Sequence, residues 1–178
     1  KELRELKVKF YEDKMGSIIG HLGKGSKKIV ITAHMDEIGI VVTYIDKKGF
    51  LRFSQVGYIY PYSLPGSRIK FKNGITGVIN IEPVKPEAVS IDKMYIDIGA
   101  GNQQEARAMI KEGTFGVPRR ELEQLGPYRI TGKALDDRIG CAILLELARR
   151  LRSRQLNKEI YFVFTVQAVS YTHLTLAT

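Results

Sequence analysis

Short apolar runs separated by turn signals occupy the first third of the chain and predict β-strands there. The runs at residues 8–11 and 16–22 each predict one strand, and the β-branched run at 28–33 predicts a strand buried on both faces. The runs at 39–45 and 50–53 flank an Asp-Lys-Lys-Gly turn, so they predict a hairpin.

The pattern changes between residues 57 and 131, where Gly and Pro recur between short alternating runs. Such a segment is typical of a small β-rich unit of the barrel or sandwich kind. One helix is predicted inside it at residues 102–112, because Asn102 can cap its start and Gly113 can end it.

A helical period returns in the last third of the chain. Apolar or small residues at positions 140, 143, 144, 147, 148 and 151 share one face of an α-helix, and residues 160–166 predict another buried strand. We therefore expect an α/β domain interrupted by a β insertion. Residues 1–45 and 132–167 are assigned to the α/β domain, and residues 46–131 are assigned to the insertion.

The composition is that of an ordinary globular protein, with 44% hydrophobic and 26% charged residues among 178. No apolar run approaches the roughly 18–20 residues that span a bilayer, so we expect no membrane partner. A single cysteine, Cys141, excludes an internal disulfide and predicts a reducing, cytoplasmic location.

The formal charge of +9 raises nucleic acid as a partner. The positive residues are spread along the chain, and their one dense cluster falls at the end of the second predicted helix, where cations complement the helix dipole. No aromatic residues interleave with this cluster as they do in stacking platforms. Nucleic-acid binding therefore remains only an alternative. The clustered residues are Arg149, Arg150, Arg152 and Arg154.

Two short polar motifs are candidates for chemistry. His34 and Asp36 follow a buried strand and project to one side of it, so the imidazole could bind a metal while the carboxylate orients it. Asp136 and Asp137 stand at a helix entry, where a carboxylate can cap backbone N–H groups or bridge two cations. Taken singly, each motif is more typical of a hydrogen-bonded pair or a helix cap.

The order of four sequence blocks resembles the M42 family of metallo-aminopeptidases, which includes glutamyl, leucyl and deblocking aminopeptidases and the tetrahedral (TET) peptidases. The resemblance covers residues 8 to 167. The blocks are Tyr-Glu-Asp-Lys-Met-Gly at 11–16, His-Met-Asp-Glu-Ile-Gly at 34–39, Ile-Asp-Ile-Gly at 96–99 and Gly-Lys-Ala-Leu-Asp-Asp-Arg at 132–138.

This resemblance implies an aminopeptidase α/β domain interrupted by a β-barrel-like dimerisation domain, peptide substrates and homo-oligomers from dimer to dodecamer. It also implies two divalent metal ions, zinc or cobalt, and the donor types suit manganese as well. By position, His34 matches a metal ligand, Asp36 matches the catalytic carboxylate that orients the site, and Asp136 matches the ligand that bridges both metals. Asp137 then follows across a peptide bond that is often cis in related enzymes.

The resemblance stops at Gln167. In the family, the matching strand runs into a Glu-Glu pair that supplies the general base and a metal ligand, whereas here Ala168 follows and no acid occurs after Glu159. Residues 168–178 resemble a translated sequencing adapter, so we expect a non-native tail on a C-terminally truncated and inactive chain. The alternatives are a non-catalytic assembly module, a glycan hydrolase and a basic nucleic-acid binder.

Overall fold

The computed structural model describes residues 1–168, so most of the expected non-native tail lies outside the described residues. The chain divides into two compact units, one formed by Lys1–Glu37 with the segment from Ala134 onward, the other by Ile38–Lys133. The helices are α1 (Glu2–Glu5), α2 (Gln103–Met109) and α3 (Leu135–Leu151). The strands are β1 (Lys9–Glu12), β2 (Ile18–Leu22), β3 (Lys28–His34), β4 (Gly39–Ile45), β5 (Leu51–Val56), β6 (Arg68–Phe71), β7 (Thr76–Ile81), β8 (Met94–Asp97), β9 (Phe115–Pro118), β10 (Glu123–Leu125), β11 (Arg129–Thr131) and β12 (Glu159–Thr165).

The first unit contains a four-stranded sheet in the order β1-β2-β12-β3. The β1–β2 and β2–β12 pairs are antiparallel, and β12 runs parallel to β3. Leu144 and Ala148 of α3 are buried in the same core as Phe162 of β12, which is fully buried. The apolar stripe of the predicted helix therefore packs on the sheet through Leu144 and Ala148, whereas Ile143 of the same stripe is 59% exposed.

Strand β3 lies at the edge of this sheet, although its sequence predicted burial on both faces. Ile29 and Val30 are 37% and 38% exposed. A run of β-branched residues specifies an extended backbone, but it does not specify the number of neighbouring strands. The predicted strand is therefore present, and its predicted burial is wrong within residues 1–168.

His21, whose polar sequence context predicts a surface residue, is half-buried instead. Its strand β2 is an inner strand that pairs with β1 on one side and with β12 on the other. The His21 ring lies 4.8 Å from the ring of Tyr161 on β12. The long-range β2–β12 pairing, which local sequence does not reveal, causes the difference.

The second unit is a closed six-stranded barrel in the order β4-β5-β8-β7-β6-β9, and β10 and β11 form a separate two-stranded ladder within the same unit. Its core is made of buried aliphatic side chains together with Phe53 and Phe71. A Cβ at Gly77 would overlap the side chain of Ile96, and one at Gly116 would lie 2.5 Å from Cγ2 of Ile69. These two glycines allow side chains from neighbouring strands to fill the barrel interior. The predicted β-rich insertion is thus a barrel.

The insertion begins at Ile38 rather than at residue 46, which corrects the expected boundary. Strand β4 pairs with β5 through Val42 and Phe53, and with β9 through Ile40 and Gly116. The two strands of a hairpin share one sheet, so the 39–45 run belongs with the 50–53 run that it was predicted to pair with. The end of the insertion at Lys133 lies close to the expected residue 131.

Helix α2 is shorter than predicted. The Asn102 side chain accepts a hydrogen bond from the Glu105 backbone N–H at 3.0 Å, so the predicted cap is present. The helix ends at Met109 because Ile110 turns to extended backbone and is buried in the barrel core. Tertiary packing of one apolar side chain therefore overrides the local stop signal at Gly113.

Among the described residues, no helix is long and apolar enough to cross a membrane.

Candidate metal centre

The imidazole of His34 lies between two carboxylates at the end of β3. Its Nε2 atom is 3.2 Å from Oδ1 of Asp136, and its Nδ1 atom is 3.3 Å from Oδ1 of Asp36. His34 and Asp136 are 102 positions apart, and both belong to the first unit. The structure thus brings together the three residues that the sequence singled out.

The two neighbouring aspartates at the start of α3 face different partners. The side chain of Asp136 is 98% exposed. Among the ion pairs of the described chain, its one partner is the imidazole of His34. The peptide bond between Asp136 and Asp137 is cis, which confirms the expectation from the resemblance. Both residues have non-helical backbone angles, so the regular part of the helix starts after them.

Asp137 caps the helix and also binds the end of β3. Its Oδ1 accepts a hydrogen bond from the Gly140 backbone N–H at 3.2 Å, three residues along the chain, as an N-cap side chain does. Its Oδ2 accepts one from the His34 backbone N–H, also at 3.2 Å. The interpretation of the Asp-Asp pair as a helix cap therefore holds for Asp137, whereas Asp136 faces the imidazole of His34.

Replacing Asp137 by Ala is expected to lower the free energy of unfolding by about 1–3 kcal/mol, because a cap is lost and a half-buried amide is left without its acceptor. Asp137→Asn should recover part of this loss, since it keeps one acceptor oxygen for two N–H donors. Urea denaturation of the 178-residue chain, followed by circular dichroism, measures both variants. Asp92→Ala, at an aspartate in the barrel unit, is the control. An Asp137→Ala variant as stable as this control would contradict the assignment.

Arg138 and Cys141 form hydrogen bonds to the end of β3 and to the segment that follows it. This role was not predicted from the sequence for either residue. The Arg138 guanidinium donates to the Met35 carbonyl oxygen at 3.2 Å and to Oε1 of Glu37 at 3.2 Å. The Cys141 thiol donates to the His34 carbonyl oxygen at 3.2 Å. The opposite charges of Glu37 and Arg138, each next to a predicted site motif, were the available signal.

The pKa of the Cys141 thiol is raised by burial and by the nearby charge of Asp137, although Arg138 lowers it to a smaller extent. A raised thiol pKa keeps the group protonated near neutral pH. Cys141 is therefore a packing and hydrogen-bonding residue rather than a thiolate ligand.

The described residues fit one part of a metal site. Nε2 of His34 and Oδ1 of Asp136 converge, and an imidazole nitrogen with a carboxylate oxygen suits zinc, cobalt or manganese. Asp36 beside the other ring nitrogen is the carboxylate–histidine arrangement that orients metal ligands. Within residues 1–168, however, no group of three or more His, Cys, Asp or Glu residues is arranged to hold an ion. The donor set is therefore incomplete in this part of the chain.

The chain is similar to known proteins both in sequence and in fold. The sequence profile of M42 glutamyl aminopeptidases matches residues 16–168. A protein of Acetivibrio thermocellus named as an aminopeptidase is 44% identical over 169 residues, which are 93% of this chain and 50% of that protein. The chain spans about half the length of these curated relatives.

Two solved structures are similar to the described fold. The Pyrococcus horikoshii TET1 peptidase, which can assemble into a tetrahedron or a large octahedral shell, is 33% identical with a TM-score of 0.83, and the match covers 94% of this chain and 54% of that one. A Thermotoga maritima protein described as an endoglucanase is 33% identical with a TM-score of 0.80 over 93% of this chain and 51% of that one. With the profile match over most of its length, the chain belongs to the M42 glutamyl aminopeptidase family.

Proposed function

We propose that the chain is the N-terminal part of a metal-dependent aminopeptidase that removes N-terminal residues from peptides. The observation that carries this proposal is the His34 imidazole, whose Nδ1 atom lies 3.3 Å from both the backbone carbonyl oxygen and Oδ1 of Asp36 and whose Nε2 atom faces Asp136. A hydrolase that cleaves peptides with two metals needs such a neutral nitrogen donor beside a carboxylate able to bridge. Membership in the M42 family supports the same reaction.

In this proposal each of the three residues has a separate role. His34 would hold one divalent ion through Nε2, Asp136 would bridge two ions, and Asp36 would fix the orientation and tautomer of the imidazole. The ions, zinc or cobalt with manganese also compatible, would supply an activated water near neutral pH. The tethers from Asp137, Arg138 and Cys141 keep the end of β3 in place for this geometry.

We further propose that the chain is inactive by itself. Two donors are too few for a four-coordinate site, and no Asp or Glu follows Glu159 in the sequence. A reaction of this class also needs a group that accepts a proton from the attacking water. Within residues 1–168 the carboxylates beside His34 and Asp136 already have other contacts, since Asp36 lies against the imidazole and Asp137 accepts hydrogen bonds from two backbone amides.

The proposal is tested by completing the protein. Residues 1–167 are fused to the C-terminal half of the Acetivibrio thermocellus relative, and the fusion is compared with the 178-residue chain. With zinc or cobalt, the fusion should hydrolyse aminoacyl-nitroanilides and leave the N-acetylated forms intact, whereas the 178-residue chain should do neither. A folded, metal-loaded fusion without this activity would refute the proposed reaction. Activity of the 178-residue chain would refute its proposed inactivity.

We also propose an assembly and a cellular location for the intact protein. The TET1 neighbour forms large shells, so we propose that the intact protein is a homo-oligomer and that the barrel unit contributes to its contacts. The single cysteine remains the basis for a proposed cytoplasmic location. If the 178-residue chain proves to dimerise without metal in light scattering, a role of the barrel as assembly module is supported as well.

The endoglucanase description of the Thermotoga maritima neighbour favours glycan hydrolysis as a second candidate. Glycosidases generally need two carboxyl groups on opposite sides of the scissile bond. In the site described here, both carboxylates instead contact one imidazole. Release of reducing sugar from carboxymethylcellulose by the fusion protein would favour this second candidate over peptide hydrolysis.

A further inference from the structure

A concavity of about 550 Å³ opens on the barrel unit and is lined by three arginines. Its wall is formed by residues of β6 and β7, by the segment that follows β9, and by the β10–β11 hairpin. All of the lining residues belong to the second unit, so this cavity is separate from the His34 site. The lining includes Arg68, Arg119, Arg120, Thr76, Thr131 and Glu121.

Arg68 on β6 and Arg119, the residue that follows β9, stand opposite each other. The β6–β9 register pairs Ile69 with Pro118, and the Arg119 backbone N–H donates to the Arg68 carbonyl oxygen at 2.8 Å. Like charges directly opposite each other across an antiparallel ladder destabilise the sheet. Arg120, the next residue in the chain, adds a third guanidinium to the same cavity. This arrangement costs stability unless an anion offsets it.

Most of this positive charge has no acidic partner among residues 1–168. Within residues 1–168, neither Arg68 nor Arg120 has a carboxylate within 4.0 Å, and Arg119 reaches only Oε1 of Glu121 at 3.8 Å. All three arginines are exposed. A guanidinium presents a planar fork of N–H donors that matches a carboxylate or phosphate. Thr76 and Thr131 add hydroxyl groups to the lining.

We propose that this cavity binds an acidic peptide segment through the carboxylates of its Asp or Glu side chains. Its volume falls within the range of about 300–1,000 Å³ that is usual for pockets that bind drug-sized ligands, so it can hold one or two acidic side chains with their backbone and is many times larger than a single small anion needs. Glu121 and Glu123 on the hairpin side make the lining mixed in sign. A lining of this kind suits spaced carboxylates on a flexible chain better than one compact ion of high charge.

This binding does not depend on the proposed aminopeptidase reaction. The ligand needs no free α-amine, and no residue of the cavity is among the candidate metal ligands. A peptide whose N-terminus is acetylated therefore tests the cavity without engaging an aminopeptidase site. Binding of the acetylated peptide reports on the cavity alone, whereas hydrolysis of aminoacyl-nitroanilides reports on the proposed reaction. Failure of one proposal is therefore distinguishable from failure of the other.

The test measures binding of fluorescein-labelled N-acetyl-tetraglutamate to the 178-residue chain by fluorescence anisotropy at low salt. The double variant Arg68→Gln/Arg120→Gln should weaken binding at least tenfold. Arg68→Lys/Arg120→Lys keeps the charge but loses the fork, so its affinity should lie between the two. Lys47→Gln/Lys48→Gln removes the same charge from the β4–β5 turn outside the cavity, and it should change affinity less than threefold. Circular dichroism confirms that each variant is folded.

Three outcomes would overturn the proposal. The first is no saturable binding of the peptide, and the second is an equal loss in the cavity variant and in the Lys47/Lys48 control, which would indicate only a general attraction to a basic surface. The third is competition by inorganic phosphate at a concentration equal to that of the peptide, which would assign the cavity to a free anion instead. Binding that is lost in the glutamine variant, partly kept in the lysine variant and unaffected in the control supports the acidic-peptide site.

Discussion

Replacing Asp136 by Asn in the completed fusion enzyme is expected to lower kcat by at least about a thousandfold, which corresponds to roughly 4 kcal/mol of transition-state stabilisation. In the proposed site this carboxylate bridges two ions, and an amide has lost the negative charge and one of the two equivalent oxygens. The side chain is 98% exposed, so the substitution should leave the free energy of unfolding nearly unchanged. Initial rates on an aminoacyl-nitroanilide and the metal content per chain are the measurements.

The control for this prediction is Asp92→Asn, which removes the same charge from the barrel unit, outside the His34 site. It should retain activity within about twofold and should keep the same metal content. An Asp136→Asn enzyme that retains a tenth of the activity with both ions bound would show that Asp136 is not the bridging ligand. An enzyme that loses activity only because it unfolds would be identified by its circular dichroism spectrum.

Truncating Phe71 to Ala should cost about 3–5 kcal/mol, the usual range for removing a buried phenyl ring. Phe71 is 1% exposed in the barrel core, and the strand opposite it carries Gly116, whose missing side chain leaves room for the ring. Since small domains have only about 5–15 kcal/mol of total stability, the barrel should lose a large part of it. For a domain of this size, we expect the thermal midpoint to fall by more than about 10 °C.

Phe115→Ala provides a matched control, because it removes the same ring from β9 of the same barrel. Phe115 is 62% exposed, so its loss should change the free energy of unfolding by less than about 1 kcal/mol. Thermal and urea unfolding of the full chain compare the two variants. If both phenylalanines proved equally costly, the interior and exterior faces of the barrel would be assigned incorrectly.

Most strands and the long helix could be predicted because their signals are local. The apolar runs became β1 to β5 and β12, and the helical stripe that contains Leu144 and Ala148 became the buried face of α3. Predictions that depended on distant neighbours were less accurate. Strand β4 belongs to the barrel, His21 lies on an inner strand, and Ile110 ends α2 early, each because of contacts with residues far along the chain.

The candidate site follows the same division. His34, Asp36 and Asp136 could be named from their motifs, since residue type and spacing are written in the sequence. Their contacts with one another could not be read in this way. The structure shows Asp36 on one ring nitrogen and Asp136 near the other, with Asp137 committed to two backbone amides. Arg138 was noticed only as part of a motif, because its partners at Met35 and Glu37 lie about a hundred residues away.

The sequence by itself determined the family, the alternation of strand and helix, and the residue types available for chemistry. These depend on side-chain identity and on periodicity, which are properties of short stretches of chain. Only the tertiary structure decided where the barrel begins, which aspartate caps the helix, and that Arg68 and Arg119 are neighbours in the wall of one concavity. Those features depend on strand register and loop closure. Residues distant in sequence meet there because the whole chain must bury its apolar surface and pair its backbone hydrogen-bonding groups at the same time.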